Sequence, residues 1–367
     1  MKVMLIGVGA AGNKAVLNAV EAGVMDVDDT IIINSTSKDF PKEYKGTTIV
    51  LSDGDTGCGK ERAIAKEYTK IAMSDGKFNF NERIAKYQTV IIATSVEGGT
   101  GSGSTPIIAK MFNKVFTKNV HIIAFTGFEE DVRGLSNTVE FFKEIDSAIV
   151  VQTISNAAFM ARAGYNKLKA EEMANKEMTE RISVLTGQDF IEGSQNIDDT
   201  DILKLSNTAG YMTVEKKYFS KSLETKDDFE KIIKNMIYNS ASIKSKEPAA
   251  ARLGVVLNIN PASEDAIDYT FTSLKNAYGN PFEFFTQVQW DESKEYIAFI
   301  ASGMKMPLDE IQAIYDRYID QTNKINKNGD EFFSEVEKLS SLDEDSKFNM
   351  ITDVHKGQSL TDFLNMN

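Results

Sequence analysis

Cysteine and histidine are nearly absent from this chain of 367 residues, and each scarcity excludes a class of site. The single cysteine, Cys58, rules out an internal disulfide, and the two histidines, His121 and His355, are too far apart in sequence for a zinc cluster. Any bound metal must therefore use oxygen ligands. No apolar run approaches the roughly 20 residues of a membrane span, and the N-terminus lacks the features of a signal peptide. We therefore expect a cytoplasmic protein without direct membrane contact.

Positive charge is also in deficit, because 41 Lys and Arg face 54 Asp and Glu, for a formal net charge of -13. Nucleic-acid phosphates are bound by basic surfaces. We therefore expect no direct contact with nucleic acid, and a DNA-binding adaptor protein would have to provide any link to DNA. A simpler interpretation is that the acidity keeps an abundant protein in solution.

Short apolar runs alternate with longer amphipathic stretches over the first 155 residues. Several of the runs are apolar at consecutive positions, which is typical of parallel strands covered on both faces by helices. The pattern predicts a doubly wound α/β domain, with ligands at the carboxyl ends of its strands. The predicted strands are Val3 to Ile6, Ile31 to Ile33, Thr48 to Leu51, Val90 to Ala93, Val120 to Thr126 and Ala148 to Thr153.

The remainder of the chain predicts a long buried helix at Tyr165 to Leu185 and then a second, smaller α/β region. Strands are expected there at Leu253 to Ile259, Phe282 to Trp290 and Tyr296 to Ala301, and helices at Pro307 to Asn323 and Glu331 to Leu339. We divide the chain into a nucleotide-binding domain (1–163), a central linking helix (164–187), a second domain (188–305), C-terminal helices (306–339) and an acidic tail (340–367) that we expect to be mobile.

Three glycine-rich segments compete as ligand loops. The first, Gly7 to Gly12, follows the first strand as a dinucleotide fingerprint does, but Asn34 stands near the end of the second strand, where that fingerprint needs an acidic residue. The second, Gly54 to Glu61, fits the P-loop pattern at every position except the last, where Glu61 replaces the hydroxyl residue that binds magnesium. We interpret it as a loop near a nucleotide, with glycines giving backbone room.

The third segment, Gly98-Gly99-Thr100-Gly101-Ser102-Gly103-Ser104, lies between an apolar strand and a helix expected to open at Thr105-Pro106-Ile107. Glycines allow consecutive amides to converge on an anion, hydroxyls add donors, and a proline near a helix start leaves the positive end of the helix facing the ligand. This segment predicts a phosphate-binding loop.

The same residues resemble the signature loop of the tubulin and FtsZ superfamily, and further matches follow in the same order over about residues 1–305. Gly7 to Asn13 resembles the family's first nucleotide loop, and Phe128 to Arg133 resembles the loop after its fifth strand. The segment Gly57 to Arg62 is most similar to the TubZ branch of phages and plasmids.

The resemblance implies a set of site residues. Nucleotide binding is assigned to Gly7, Gly9, Ala10, Ala11, Gly12, Asn13, Asn34, Gly57, Gly59, Gly98, Gly99, Thr100, Gly101, Ser102, Gly103, Ser104, Glu129 and Arg133, with Asn156 and Asn175 reading the guanine edge. Catalysis is assigned to Asn196, Asp198 and Asp201, which keep the spacing of the family's catalytic loop. No protein residue is assigned as a metal ligand. The alternative for the acidic cluster is a solvated helix start capped by Asp199 or Thr200.

The family resemblance implies a GTPase that binds GTP or GDP with Mg²⁺ and assembles head to tail into filaments that position plasmid or phage DNA. Two alternatives stay open. One is an FtsZ-like cell-division scaffold, because Asp362-Phe363-Leu364 faintly resembles the terminal docking peptide of FtsZ. The other is a nucleotide-dependent metabolic enzyme, such as a dehydrogenase, whose active site lies within one chain.

Overall fold

Strands and helices alternate over most of the described chain. The computed structural model describes residues 2–128, 131–191, 193, 196–219, 225–243, 248–260, 264–291 and 294–339. Within these ranges the strands are β1 (Val3–Val8), β2 (Thr30–Asn34), β3 (Thr47–Val50), β4 (Thr89–Ser95), β5 (Asn119–Thr126), β6 (Val150–Ser155), β7 (Gly210–Tyr218), β8 (Arg252–Asn258), β9 (Glu283–Gln289) and β10 (Tyr296–Met304).

These strands form one sheet in the order β3-β2-β1-β4-β5-β6-β7-β10-β8-β9. The first six are parallel, and β10 pairs antiparallel with both of its neighbours. Strand order reverses between β1 and β4, which in open α/β sheets is where ligands bind beyond the carboxyl ends of the strands. The doubly wound α/β prediction is confirmed, and each predicted strand overlaps an observed one.

The helices are α1 (Gly9–Glu21), α2 (Arg62–Ser74), α3 (Asn81–Ile84), α4 (Gly99–Lys114), α5 (Val132–Glu144), α6 (Lys167–Leu185), α7 (Asp199–Ser206), α8 (Lys226–Tyr238), α9 (Glu264–Ala277) and α10 (Leu308–Leu339). The predicted central helix corresponds to α6. The two helical stretches predicted at the C-terminal end are instead one continuous helix, α10.

Helices cover both faces of the parallel part of the sheet. Apolar residues of α1 and α6, such as Val16 and Met178, pack on one face. Residues of α4, α5 and α10, such as Phe112, Phe141 and Ile314, pack on the other. Because both faces are buried, β1 and β2 are inaccessible at every position, which explains why their sequences are continuously apolar.

Strand β7 was not predicted, because it carries charged residues that the fold nevertheless buries. Glu215 accepts from the Nη2 of Arg181 at 3.0 Å, and Lys216 pairs with Asp189. Arg181 is itself fully buried in α6 and also donates to Gln152 Oε1 at 3.1 Å on β6. Pairing makes burial of these charges tolerable, and the resulting cluster joins α6 to β6 and β7.

His121 on β5 lies beside this cluster. Its Nε2 accepts a 2.9 Å hydrogen bond from the side-chain amide of Gln152, whose oxygen is already taken by Arg181. Burial, together with the nearby positive charge of Arg181, lowers the pKa of His121 to about 3. His121 is therefore neutral in the folded protein at physiological pH.

Candidate functional site

A cavity of about 310 Å³ opens at the carboxyl ends of β1 and β4, where strand order reverses. We call it the first cavity. Helices α1 and α4 both begin at it, and neither has a side chain capping its first amides. In contrast, Asp131, Asn166, Asp198 and Thr225 cap α5, α6, α7 and α8. Two uncapped helix N-termini that converge on one space suit a polyanionic ligand such as a phosphate chain.

The segment Gly98–Ser104 departs from its predicted form, because helix α4 begins at Gly99 rather than at Thr105. The expectation that Pro106 lies at the helix start is therefore wrong, and this proline lies within the helix. It cannot donate the hydrogen bond that the Ser102 carbonyl would normally receive. The guanidinium of Arg62 donates to that carbonyl instead, at 3.1 Å, and so supplies the missing donor.

Close backbone approach explains the glycines of this helix start. A Cβ at Gly101 would lie 2.5 Å from the Ser95 carbonyl oxygen, and one at Gly99 would lie 2.7 Å from the backbone of Lys60. Such contacts are too short for any side chain. The glycines therefore let the first turns of α4 lie directly against the end of β4 and the loop before α2.

A second cavity of about 230 Å³ adjoins the first and shares Ala10, Ala11 and Ser95 with it. Asn156 and Asn175, predicted to read a base, both line this second cavity. The structure thus brings together two asparagines that are 19 positions apart in sequence. Side-chain amides present both donors and acceptors, as the edge of a guanine does.

Three buried asparagine atoms, in α1 and at the carboxyl ends of β2 and β6, have no hydrogen-bond partner among the described residues: Asn13 Nδ2, Asn34 Nδ2 and Asn156 Oδ1. The opposite ends of two of these side chains are used, because Asn13 Oδ1 accepts from the Ile33 amide at 3.3 Å and Asn34 Oδ1 accepts from the Ser35 amide at 2.8 Å. Buried polar atoms normally have partners. A bound ligand with donors and acceptors is the expected partner.

Other predicted nucleotide residues fall into three groups. Gly9, Ala10, Ala11, Asn34, Gly57, Gly59 and Gly98–Gly101 line the first cavity. Gly7, Gly12, Asn13, Ser102, Gly103 and Ser104 line neither cavity and lie in or against the helices that shape the first. Arg133 also lines neither, since it pairs with Glu61 at 2.9 Å, and Glu129 lies outside the described residues.

Sequence reasoning missed Cys58 and Lys60 as cavity residues. The Cys58 thiol is buried and 3.1 Å from the Thr100 hydroxyl at the start of α4. Lys60 reaches Asp131 at 2.7 Å. The incomplete P-loop pattern was the available signal for Lys60, because the lysine of that pattern contacts phosphates, but it gave no signal for Cys58.

Residues Asn196 to Asp201, which we call the acidic loop, line neither cavity. Just before them, Gln188 donates to the Gly23 carbonyl at 2.9 Å, immediately beyond the C-terminal end of α1. The 13-residue α1 begins at the first cavity, so its rise of 1.5 Å per residue places this end about 20 Å away. The acidic loop therefore lies near the amino ends of the parallel strands, opposite the cavities.

The acidic loop is held by its own hydrogen bonds. Asp198 caps α7 through its Oδ1, which accepts from the amides of Thr200 and Asp201 at 2.8 and 2.9 Å. The Asp201 carboxylate accepts in return from the Asp198 amide at 3.4 Å, completing a capping box. Asp198 is therefore the cap, rather than Asp199 or Thr200 as the alternative interpretation expected. Capping does not exclude a catalytic role, because each carboxylate has a second oxygen outside the capping box; that of Asp201 lies 3.9 Å from Lys204 Nζ.

Two buried glutamines of β9 fasten the chain that leads into this loop. Gln287 Oε1 accepts from the Ile197 amide at 2.8 Å, and its Nε2 donates to the Ile191 carbonyl at 2.9 Å. Gln289 donates to the Asp189 carbonyl at 3.0 Å. These amides substitute for a neighbouring strand and give the acidic loop a defined position.

Over the described ranges, no group of three or more His, Cys, Asp or Glu side chains is arranged to hold a metal ion. The exposed carboxylate of Asp39 and the Ser35 hydroxyl line the first cavity and are oxygen donors of the kind that Mg²⁺ uses. No helix in the described part of the chain is both long and apolar enough to cross a bilayer.

Parts of this chain are similar in sequence to known proteins. Residues 2–163 match the model of the Tubulin/FtsZ family, GTPase domain. The cell division protein FtsZ of Mycoplasmopsis pulmonis is 26% identical over 214 residues, which cover 57% of this chain and 53% of that protein. FtsZ of Helicobacter pylori strain J99 is 26% identical over 154 residues, covering 41% of this chain and 40% of that protein. The chain thus spans about half the length, or less, of these curated relatives.

Solved structures show the same fold at lower identity. Clostridium botulinum phage c-st TubZ aligns with a TM-score of 0.67 at 17% identity, covering 88% of this chain and 99% of that one. CetZ2 from Haloferax volcanii, in a GTPγS-bound protofilament, aligns with a TM-score of 0.73 at 16% identity, covering 88% and 100%. A helical model of the TubZ-Bt two-stranded filament aligns with a TM-score of 0.72 at 16% identity, covering 94% of both chains.

Proposed function

We propose that this chain, whose residues 2–163 are a GTPase domain of the Tubulin/FtsZ family, binds GTP and hydrolyses it within a head-to-tail filament. The observation that carries the proposal is the separation of the cavities from the acidic loop, which lie at opposite ends of the parallel strands, with the length of α1, about 20 Å, between those ends. A single chain cannot bring the two together. The next subunit along a filament can supply its acidic loop to the cavities of the first.

In this proposal the phosphates bind in the first cavity and the guanine in the second. The amides at the starts of α1 and α4, which no side chain caps, bind the phosphate chain. Asn13 and Asn34 offer amide nitrogens that have no partner among the residues the structure describes. Asn156 and Asn175 select guanine over adenine by hydrogen bonds to its edge. Arg133 of α5 and Glu129 are proposed as further contributors, as the family resemblance implies.

Magnesium bound to the phosphate oxygens would neutralise charge that develops during phosphoryl transfer. Asp39 and Ser35 are the residues that would hold it, directly or through water.

The proposed catalytic residues are Asn196, Asp198 and Asp201 of the adjoining subunit. Their carboxylates polarise and orient the attacking water, and Asn196 helps to position that water. The capping box and the glutamines of β9 hold the acidic loop in place before it meets a nucleotide. Such preorganisation lowers the cost of assembling the site at the contact.

Self-association follows from the geometry of a half-site at each end. A head-to-tail contact does not close on itself and generates an open filament. The names of the structural neighbours include a protofilament and a two-stranded filament. For this chain, assembly into a homopolymer and a cytoplasmic location are part of the proposal. The proposal also includes the division into regions 1–163, 164–187, 188–305, 306–339 and 340–367.

The proposed cellular role is positioning of plasmid or phage DNA through an adaptor protein, with neither nucleic acid nor membrane bound directly. The similarity to phage TubZ favours this role, while the similarity to FtsZ favours the alternative of a cell-division scaffold. The tail, including Asp362 to Leu364, lies outside the described residues. Deleting residues 360–367 and scoring ring formation in cells separates the two roles, because only a scaffold that recruits membrane adaptors through its tail would lose rings.

The test of the biochemical proposal is GTP hydrolysis per molecule measured against protein concentration, with light scattering recorded on the same sample. Controls contain ATP, or GTP without magnesium. Specific activity and scattering that rise together above a critical concentration support a shared site in a filament. A flat specific activity would instead indicate the metabolic alternative, with its active site inside one chain.

A further inference from the structure

We propose that Lys60 recognises the terminal phosphate of the bound nucleotide, and that it leaves Asp131 to do so. Lys60 thereby makes the first cavity prefer a nucleoside triphosphate to a diphosphate. The inference rests on the proposed function for the identity of the ligand. It adds a specificity-determining residue that the family matches do not assign.

The position of Lys60 relative to the two cavities supports this role. Asn156 and Asn175 line the second cavity, and Ala10 and Ala11 lie where the two cavities join. Lys60 lines only the first cavity. A nucleotide whose base contacts the asparagines therefore extends its phosphate chain past α1 toward Lys60, which meets the distal end.

Lys60, which lines the first cavity, has a backbone conformation that most residues other than glycine avoid. Lys60 has φ +65°, and the preceding Gly59 has φ +54°. The Asn137 amide fixes this turn by donating to the Lys60 carbonyl at 3.0 Å. A left-handed non-glycine residue is held only where its surroundings determine it, and such residues cluster at ligand sites.

The present partner of the lysine is one that a phosphate can displace. Lys60 Nζ lies 2.7 Å from Asp131 Oδ2, but the two side chains are 52% and 46% exposed. Water screens the charges of so exposed an ion pair, which therefore contributes little to the stability of the fold. The terminal phosphate lies among the free amides of α4, carries more charge than a carboxylate and competes favourably for the same ammonium.

Asp131 can release Lys60 without losing all of its contacts. Its other oxygen accepts from the Gly134 amide at 2.8 Å and caps α5. The hydrogen bond from Lys60 is the main reason why the pKa of Asp131 lies below its ordinary value. The Asp131 carboxylate and the terminal phosphate thus compete for the Lys60 ammonium. Removing the carboxylate should raise the preference for the triphosphate, whereas removing the ammonium should lower it.

The test measures dissociation constants of the full-length protein for GTPγS and for GDP, with magnesium, below the concentration at which it assembles. We expect Lys60→Gln to lower the preference for GTPγS over GDP about 10-fold, chiefly by weakening GTPγS binding. We expect Asp131→Asn to raise the same preference about threefold, because asparagine still caps α5 but no longer competes for Lys60. Lys60→Arg should retain part of the preference.

Lys77→Gln is the matched control. Lys77 forms a comparable surface pair with Asp53 at 2.8 Å but lines neither cavity, and its loss should leave the preference unchanged. The inference is overturned if Lys60→Gln weakens both nucleotides by the same factor or neither of them, or if Asp131→Asn lowers the preference. A wild-type protein that binds neither nucleotide would contradict the proposed function itself, which is a different result.

Discussion

The two ends of the parallel strands treat their polar groups in opposite ways. At the carboxyl ends, α1 and α4 begin without side-chain caps, and three buried asparagine atoms lack partners among the described residues. Near the amino ends, α7 begins with a reciprocal capping box, and buried glutamines hold the chain beside it. The first end leaves hydrogen-bonding capacity for a ligand, whereas the second is already organised. The difference is what a binding half-site and a catalytic half-site require.

The largest expected effect comes from filling the space on which the carboxyl-edge cavity depends. Gly101→Ala places a Cβ 2.5 Å from the Ser95 carbonyl oxygen and the Thr94 hydroxyl, so α4 must move away from β4. We expect destabilisation of about 1–3 kcal/mol and at least a 100-fold loss of GTP affinity, measured by urea unfolding and equilibrium binding. Gly54→Ala is the control, because its nearest neighbour would be 3.7 Å away. Normal GTP binding by Gly101→Ala would show that close approach of α4 is not needed.

At the other end, removal of one charge should affect turnover and spare binding. Asp201→Asn keeps the size of the side chain and an oxygen for the capping box, but loses a carboxylate proposed to orient water. We expect GTP binding within twofold of the wild type, a loss of turnover of about 100-fold and filaments that persist. Binding, phosphate release and electron microscopy would be measured on the same preparation.

Asp228→Asn provides a matched control for that variant, because Asp228 holds the same position in the capping box of α8 with Thr225. It should leave turnover unchanged. Equal turnover in Asp201→Asn and the wild type would remove Asp201 from the catalytic assignment.

A smaller effect distinguishes unpaired from paired asparagines at the carboxyl edge. Asn156 Oδ1 is buried without a partner in the described part of the chain, whereas the Asn137 amide donates to the Lys60 and Glu97 carbonyls, each at 3.0 Å. Asn156→Ala should change the ligand-free unfolding free energy by less than about 1 kcal/mol and weaken GTP binding about 10-fold. Asn137→Ala should lower the ligand-free unfolding free energy by about 1–3 kcal/mol, because it removes both of these hydrogen bonds. Equal destabilisation by both variants would contradict the assignment of Asn156 as a residue that awaits a ligand.

The last comparison concerns His121, which lies away from both cavities and which the fold buries in its neutral form. Its pKa is about 3 in the folded protein against an ordinary value of 6.5, so below pH 6.5 the unfolded chain takes up a proton that the folded chain does not. Stability therefore falls as pH falls through this window, by about 2 kcal/mol between pH 7 and pH 5. Urea unfolding at both values should show this loss reduced in His121→Gln, since other titrating groups are common to both proteins. An identical pH dependence would show that His121 is not excluded from protonation.

Continuous apolar runs made the parallel half of the sheet predictable, because β1, β2 and β4 are buried on both faces and their sequences report it directly. Strand β7 was unpredictable from the same signal. Its Glu215 and Lys216 are buried only because Arg181 and Asp189 lie opposite them. A sequence pattern records the type of each residue but not the distant partner that makes its burial tolerable.

The sequence by itself determined the α/β class and the glycine-rich segments, because these depend on local spacing and residue type. The candidate asparagines and aspartates came from its resemblance to the tubulin and FtsZ superfamily. Tertiary structure alone decided that Asn156 and Asn175 share a cavity, that Lys60 enters the first cavity and that the acidic loop lies at the far end of α1. It also set the start of α4 at Gly99, where β4 and the loop before α2 leave room only for glycine. Those facts depend on long-range packing, which brings together residues that no local pattern connects.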